Sequence, residues 1–496
     1  MSRRPLVVFG ILLVSLLGVT LLAYSAEGDS FVYLPVVVKP VPPPTATPTL
    51  TPTITLTPSP TTTVTLTPTV TVTPSPTTTV TPTPTATVTP TPTVTVTPTV
   101  TVTPTPVPTT TIEFRGLWVT RFDWTSWGSA PQSKIDEIVA NASAAGFNAI
   151  FFQVRGEADA YYDSPLEPWA RRITGHLGQA PDPYWDPLAY FVQEAHAAGL
   201  ELHAYMNIYP VWNCNDLPDP DAVPTHFYYL LKDEYGTADD GDLNGSVWNA
   251  DGEYCSSYLR ASPASVFADD HYLAVAADIV NRYDVDGIHM DYIRYPASFT
   301  SCDPVSTAAY GAYCETDTLA YQDWQRVQIN GTVRKFYEQM VAADPDLMLS
   351  TAVWFTYFWG HRLYYQDPHE WMQNTQGTGD GTGYVDAVSQ MIYPSSTFDL
   401  DHWESEVTDM LLYANGRFVF PGIGSEYDCE GNIDNPCGSD ARWQEIVNRI
   451  DKSRELGTGG HAIYSYNGLL LNGFFDDLAA GPYAIPATVP EVTWHP

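Results

Sequence analysis

The chain has 496 residues, with 57 acidic side chains against 22 basic ones and a formal net charge of −35. Such a balance repels nucleic acid and anionic lipid, so a DNA or RNA partner is excluded as an expectation. Six cysteines without a CxxC pair also argue against a zinc or iron–sulfur centre.

The N-terminus is read first. Arg3 and Arg4 precede an apolar run from Leu6 to Ala23, the pattern of an export signal cleaved near residue 26. The run also reaches the lower length limit of a membrane-spanning anchor. Both readings place the rest of the chain outside the cytoplasm, secreted or held at the cell surface, with any membrane contact made through this segment alone. Residues 27–40 hold a short apolar stretch, "FVYLPVVV", without an assigned role. Residues 41–111 are dominated by Thr and Pro and lack apolar bulk, which predicts a disordered, extended spacer. At ~3.1 Å per residue it reaches on the order of 200 Å. The acidity lies beyond it: only Glu27 and Asp29 precede residue 112.

From Glu113 the pattern changes to short apolar runs alternating with helical periodicity. Strands are expected at 113–122, 148–155, 201–210, 287–296, 347–355, 387–394, 417–425 and 461–467. Helices are expected at 133–145, 187–199, 266–283, 319–343, 401–415, 440–456 and 468–480. Eight strands, apolar on both faces and each followed by a helix-sized segment, predict an α/β fold in which residues 112–496 form one (β/α)8 TIM barrel. An open doubly wound sheet would carry a glycine-rich phosphate loop after its first strand; here that strand runs into Arg121-Phe122-Asp123-Trp124.

A barrel of this kind builds its active site at the C-terminal strand ends. Those ends are polar and aromatic here. Asp291 stands in an otherwise apolar strand, where a carboxylate is costly unless it is paired or used. Asp291 is therefore one expected catalytic carboxyl, and Glu157 or Glu426 its partner. Arg155, Asp159, Asn207, Tyr209, His289, Arg294, Trp354, Gln390, Tyr393 and Tyr466 are expected to contact substrate. Aromatic rings stack on the apolar faces of sugars, polar side chains bind hydroxyls, and glycosidic cleavage needs one protonated and one ionised carboxyl. The competing reading of Asp291 is a structural pair with Arg294 or Arg155; that of Glu157, Asp159 and Glu426 is a loop or helix cap. Trp118, Phe151 and Phe152 are read as core. "DGDLNGSVWNAD" (Asp240 to Asp251) opens like a calcium loop but lacks the final Glu and flanking helices. It is read as a plain acidic loop, and no metal or cofactor is expected.

These residues resemble a known family, the glycosyl-hydrolase-like family 10, formerly called domain of unknown function 187. The resemblance rests on "FRGLWVT" (114–120), "GFNAIFFQVR" (146–155), "SPLEPWARRITG" (164–175), "DPLAYFVQEAHAAGLELHAYMN" (186–207) and "YDVDGIHMDYIRYP" (283–296). It implies an exported barrel that hydrolyses glycosidic bonds, with bacterial relatives linked to peptidoglycan glycan strands lacking stem peptides. It also implies that Asp291 is the strand-four carboxylate and that Arg155 and Asp159 belong to the second-strand motif. Two departures stand out. Many relatives carry a double acid after strand four, where this chain has Asp291-Tyr292. Many open the preceding helix with Pro-Glu, where this chain has Phe267-Ala268.

The expected function is thus hydrolysis of a cell-wall or extracellular polysaccharide by a monomer. The alternative is a non-catalytic glycan-binding surface protein on a Thr/Pro stalk. An even number of cysteines in an exported chain predicts disulfides. Position pairs them as Cys214–Cys255 after strand three, Cys302–Cys314 after strand four and Cys429–Cys437 after strand seven, each closing one loop over the active-site face.

Overall fold

The computed structural model describes residues 110–376, 381–393, 399–425 and 439–495. The expected leader or anchor, the apolar segment and nearly all of the Thr/Pro spacer lie outside them. So do Glu426, Cys429 and Cys437.

Eight parallel strand positions make one sheet. They are β1 (Phe114–Val119), β2 (Ala149–Arg155), β3 (Glu201–Asn207), β4 (Gly287–Asp291), β5 (Met348–Val353), β6 (Ala387–Gln390), β7 in two halves (Phe418–Val419 and Gly422–Gly424) and β8 (Gly460–Tyr464). Neighbours follow chain order, and β8 pairs with β1. The first half of β7 pairs with β6 and the second with β8. Pro421 lies between them; it has no N–H to give to a ladder, so the strand breaks there. Backbone bonds still flank the break, from Phe420 N to Val388 O and from Ala462 N to Pro421 O. The sheet therefore closes on itself as a barrel.

Helices α1 (Gln132–Ala145), α2 (Pro187–Ala197), α3 (Val266–Arg282), α4 (Leu319–Ala343), α5 (Pro368–Gln373), α6 (Leu400–Leu412), α7 (Ser439–Leu456) and α8 (Phe474–Ala480) follow the strands. All strands but β2 end earlier than expected, and the chain turns there into loops at the C-terminal barrel face. Residues 121–124 form a helical turn capped by Thr120, whose side chain and amide pair with Asp123. After β3, Pro210–Asn213 leaves the barrel and pairs antiparallel with Tyr258–Arg260. The supposed calcium loop is a small hairpin, Trp248–Asn249 against Gly252–Glu253, with exposed Asp251 at its turn.

Alternation along the strands sends one set of side chains outward to the helices and the other into the barrel. The inward set is a packed core of Phe114, Trp118, Ala149, Phe151, Tyr205, Met348, Ala387, Phe420 and Ala462. Phe114 stacks on Phe420 with ring centroids 4.2 Å apart. Gly287 has no room for a side chain, since a Cβ there would sit 2.1 Å from His203 Nδ1. Trp118, Phe151 and Phe152 are all core, as expected, the first two inside the barrel and Phe152 in the layer between sheet and helices.

Candidate active site

The top inward layer holds the candidate site. Asp291 ends β4 directly beside Asn207, the last residue of β3. Its Oδ1 accepts from Arg294 Nη1 at 2.8 Å and from the Tyr292 amide at 2.5 Å. Its Oδ2 accepts from the Tyr205 hydroxyl at 2.8 Å. Burial by itself would raise the Asp291 pKa, but the Arg294 charge and these three donors hold it below the ordinary carboxylate range. Asp291 is thus kept ionised in a site only 7% exposed.

Tyr292 follows with φ 51°, a left-handed backbone uncommon for a bulky residue. This turn sends its ring across the mouth. The guanidinium carbons of Arg294 and Arg260 lie 4.4 and 5.1 Å from its centroid. Tyr258 meets it edge-on at 5.5 Å. The Tyr258 hydroxyl accepts from Arg121 Nη2 at 2.8 Å, and the same nitrogen bonds Glu157 Oε1 at 3.2 Å. Asp291 and Glu157 are therefore two ends of one connected cluster spanning β4, the ribbon after β3, β1 and β2. Asn213 also reaches Glu157, at 3.4 Å. Asp159 is buried behind Glu157 and accepts from its amide at 2.8 Å. Burial, then the charge of Glu157, pushes the Asp159 carboxyl up to about 6.

Arg294 and Trp354 join this mouth, with the Arg294 guanidinium 5.7 Å from the Trp354 ring. Trp354 in turn packs on Tyr364. Tyr393 stands against Tyr464 at the end of β8, with ring centroids 5.1 Å apart. Asn207 tops the barrel with Nδ2 bonded to Gly156 O and Oδ1 buried without a partner among the described residues.

Five expected substrate contacts lie elsewhere. Arg155 is completely buried: it grips Glu167 through Nε at 2.9 Å and spends Nη1 on the carbonyls of Asn207, Ile208 and Pro210. It clamps the turn after β3 rather than lining the mouth. His289 sits one layer below Asp291, stacked on Phe151 at 4.1 Å, with Nδ1 on Ser350 and Nε2 facing Trp118 Nε1. Burial pushes its pKa down to about 3, so it is a neutral core residue. Tyr209 points into the helix layer and donates to Thr332. Gln390 is on the outward face of β6 and donates to the Glu406 carbonyl in α6. Tyr466 bonds Glu137 and Asn141 of α1. Each was placed near a strand end by position along the chain; the alternation of inward and outward side chains separates Gln390 from the mouth, and chain reversal after the strand separates Tyr209 and Tyr466.

Tyr205, Tyr258 and Arg260 belong to the site but were not among the expected residues. Tyr205 was recoverable, since it alternates in register with Asn207. Tyr258 and Arg260 come from a long loop in which no periodic signal exists. Cys214–Cys255 and Cys302–Cys314 are bonded as expected; Cys429–Cys437 lies outside the described residues.

Comparison with known proteins agrees with the fold. The glycosyl hydrolase-like 10 family model matches residues 113–410. Glycosyl hydrolase YngK of Bacillus subtilis is 26% identical over 416 residues, covering 77% of this chain and 74% of its own. Glycosyl hydrolase DigH of Escherichia coli K12 is 24% identical over 258 residues, 47% of this chain and 53% of that protein, so the match spans about half of DigH. The glycoside hydrolase domain of PgaB from Bordetella bronchiseptica shares the fold, with TM-score 0.52 and 11% identity over 75% of this chain and 99% of that domain. With the family model covering more than half of its length, the chain belongs to the glycosyl hydrolase-like 10 family.

Proposed function

We propose that this protein is an exported glycoside hydrolase that cleaves a cell-wall or extracellular polysaccharide, with peptidoglycan glycan strands as the leading substrate. The observation that carries this reading is Asp291, a carboxylate held ionised at the barrel mouth by Arg294, Tyr292 and Tyr205. An ionised carboxylate in that place stabilises the positive charge that develops on the sugar ring as the glycosidic bond breaks. The partner that protonates the leaving oxygen is proposed to be Glu157, joined to the same cluster through Arg121 and Tyr258. Glu426 lies outside the described residues and is the other candidate. The relatives' names, glycosyl hydrolases in two bacteria, support the reaction class.

The test is release of reducing ends from purified glycans, including strands stripped of stem peptides, by the wild type, Asp291→Asn, Glu157→Gln and Glu426→Gln. Asp291→Asn is expected to lower kcat by about 10³-fold or more, with binding retained. Loss in Glu157→Gln names the acid; loss in Glu426→Gln with Glu157→Gln active moves that role. Full activity of Asp291→Asn on a cleaved glycan defeats the assignment. Binding without cleavage by the wild type across the panel favours the glycan-binding alternative.

A further inference from the structure

Arg260 is the cation in the mouth whose charge the cluster does not use. It ends the short strand Tyr258–Arg260 that pairs with Pro210–Asn213, and it is only 7% exposed. Its Nε is buried and has no hydrogen-bond partner among the described residues. The guanidinium forms no ion pair with any described residue, and the Tyr292 ring lies 5.1 Å from its Cζ. Arg121 has Glu157, Arg155 has Glu167 and Arg294 has Asp291. Asp291 accepts its hydrogen bonds from Arg294, Tyr292 and Tyr205 and none from Arg260, on which it acts only through its charge.

An unpaired, nearly buried guanidinium costs several kcal/mol to keep dry, unless a counter-charge arrives with the ligand. A chain with 57 acidic residues against 22 basic ones has acids in excess to supply a partner. None of the described residues does so. Burial and the like charge of Arg294 disfavour the Arg260 charge in an empty site, the Asp291 charge offsets this only in part, and an anionic ligand would offset the rest. Guanidinium is also the side chain best shaped to take a carboxylate through two parallel N–H bonds.

We propose that Arg260 is a specificity residue that receives a carboxylate borne by the glycan, so that the mouth selects acidic sugars over neutral ones. This rests on the glycan reading above and sharpens it. The carboxylate has two chemical sources: one attached directly to the sugar ring, as in a uronic acid, and one carried on an ether side arm, as in a muramic acid. Both present the same planar anion to Arg260.

The experiment measures affinity of the full chain carrying Asp291→Asn, to prevent turnover, for matched oligosaccharides. These are an oligouronate and its carboxamide, a GlcNAc–MurNAc strand and its carboxamide, and a chitooligosaccharide. The acid form of one source is expected to bind at least about tenfold more tightly than its carboxamide, the ratio a charge-assisted hydrogen bond supplies. Which pair shows the ratio identifies the source. Arg260→Gln in the same background is expected to bring that ratio close to one, and Arg260→Lys to leave part of it. A purely structural Arg260 would weaken acid and amide alike and leave the ratio standing; that result overturns the proposal. Equal affinity of the unsubstituted Arg260 protein for acid and amide overturns it without any variant, so a misfolded Arg260→Gln does not shelter it. No binding to any of the five glycans defeats the glycan reading itself, and this inference with it.

Discussion

Tyr205 and Asp291 stand on neighbouring strands two residues out of register, and the Tyr205 hydroxyl reaches up one layer of the barrel to donate to Asp291 Oδ2 at 2.8 Å. The bond ties the packed core to the Asp291 carboxylate, the proposed catalytic group. It helps to hold the charge on Asp291 against the cost of burial. Removing the hydroxyl takes a donor from the ionised form only, so the Asp291 pKa rises. Tyr205→Phe is therefore expected to move the acid limb of the kcat/KM profile to higher pH and to lower kcat by about tenfold or more. A profile that overlays the wild type would show that Asp291 does not act as an ionised group in the reaction.

Arg155 carries a different consequence. It was expected at the sugar and lies instead under the turn after β3, with Glu167 fully buried against it and His271 reaching the same carboxylate at Oε1. Arg155→Met would leave Glu167 charged and without its main partner. The expected loss is about 3–5 kcal/mol, read as a shift in urea unfolding. A loss under about 1 kcal/mol would mean that water reaches Glu167 readily.

The same pair sets part of the acid response. Burial alone would raise the Glu167 pKa, but Arg155 and His271 bring it down to about 2 from an ordinary value of 4.5. A lowered carboxylate pKa stabilises the fold fully above 4.5, and the contribution is lost as pH falls toward 2. It amounts to on the order of 3 kcal/mol. Glu113, held by Arg454 and Arg115, behaves in the same way. Stability of the wild type should fall between pH 4.5 and 2, and more shallowly in Glu167→Gln, although that variant starts lower. Equal slopes would show that the pair does not titrate with folding.

These cases show what was legible in the chain and what was not. The barrel was, because eight apolar runs separated by helical segments have few other ways to bury both faces, and the break in β7 is visible as Pro421 in an otherwise apolar run. Asp291 was legible because a carboxylate in an apolar strand demands a reason. The demand had two answers, pairing with Arg294 and chemistry; the structure shows the pairing, and Arg294 helps to keep Asp291 charged, as the proposed chemistry requires. Arg155 was misread because an arginine at a strand end looks alike whether it points up into the mouth or sideways beneath a turn. Gln390 was misread because being near the end of a strand was weighed above which face of it a residue takes. Arg260 could not have been found, since its place depends on a ribbon paired across a long loop.

That ribbon supplies the last prediction. Pro210–Asn213 and Tyr258–Arg260 share few backbone pairs, and a two-stranded ribbon of this size is marginal by itself. Cys214 follows its first strand directly and is bonded to Cys255, just ahead of the second. The bridge closes a separation of 41 residues, and loop-closure entropy puts its contribution at about 4 kcal/mol. Cys302–Cys314 closes 12 residues and contributes about 3 kcal/mol on the same basis. Loss of the first bridge has a second effect that stability alone does not describe. It frees the strand that presents Tyr258 to Arg121 and Arg260 to Tyr292. Cys214→Ser/Cys255→Ser is therefore expected to lower the unfolding free energy and also to weaken glycan binding in molecules that remain folded. Cys302→Ser/Cys314→Ser should cost stability with a smaller effect on binding. Non-reducing peptide mapping first establishes the pairs, and titration of each folded variant with the best-bound glycan then compares them. If the two double variants lose affinity equally, the first bridge does not position the mouth, and the ribbon holds Tyr258 and Arg260 through its packing alone.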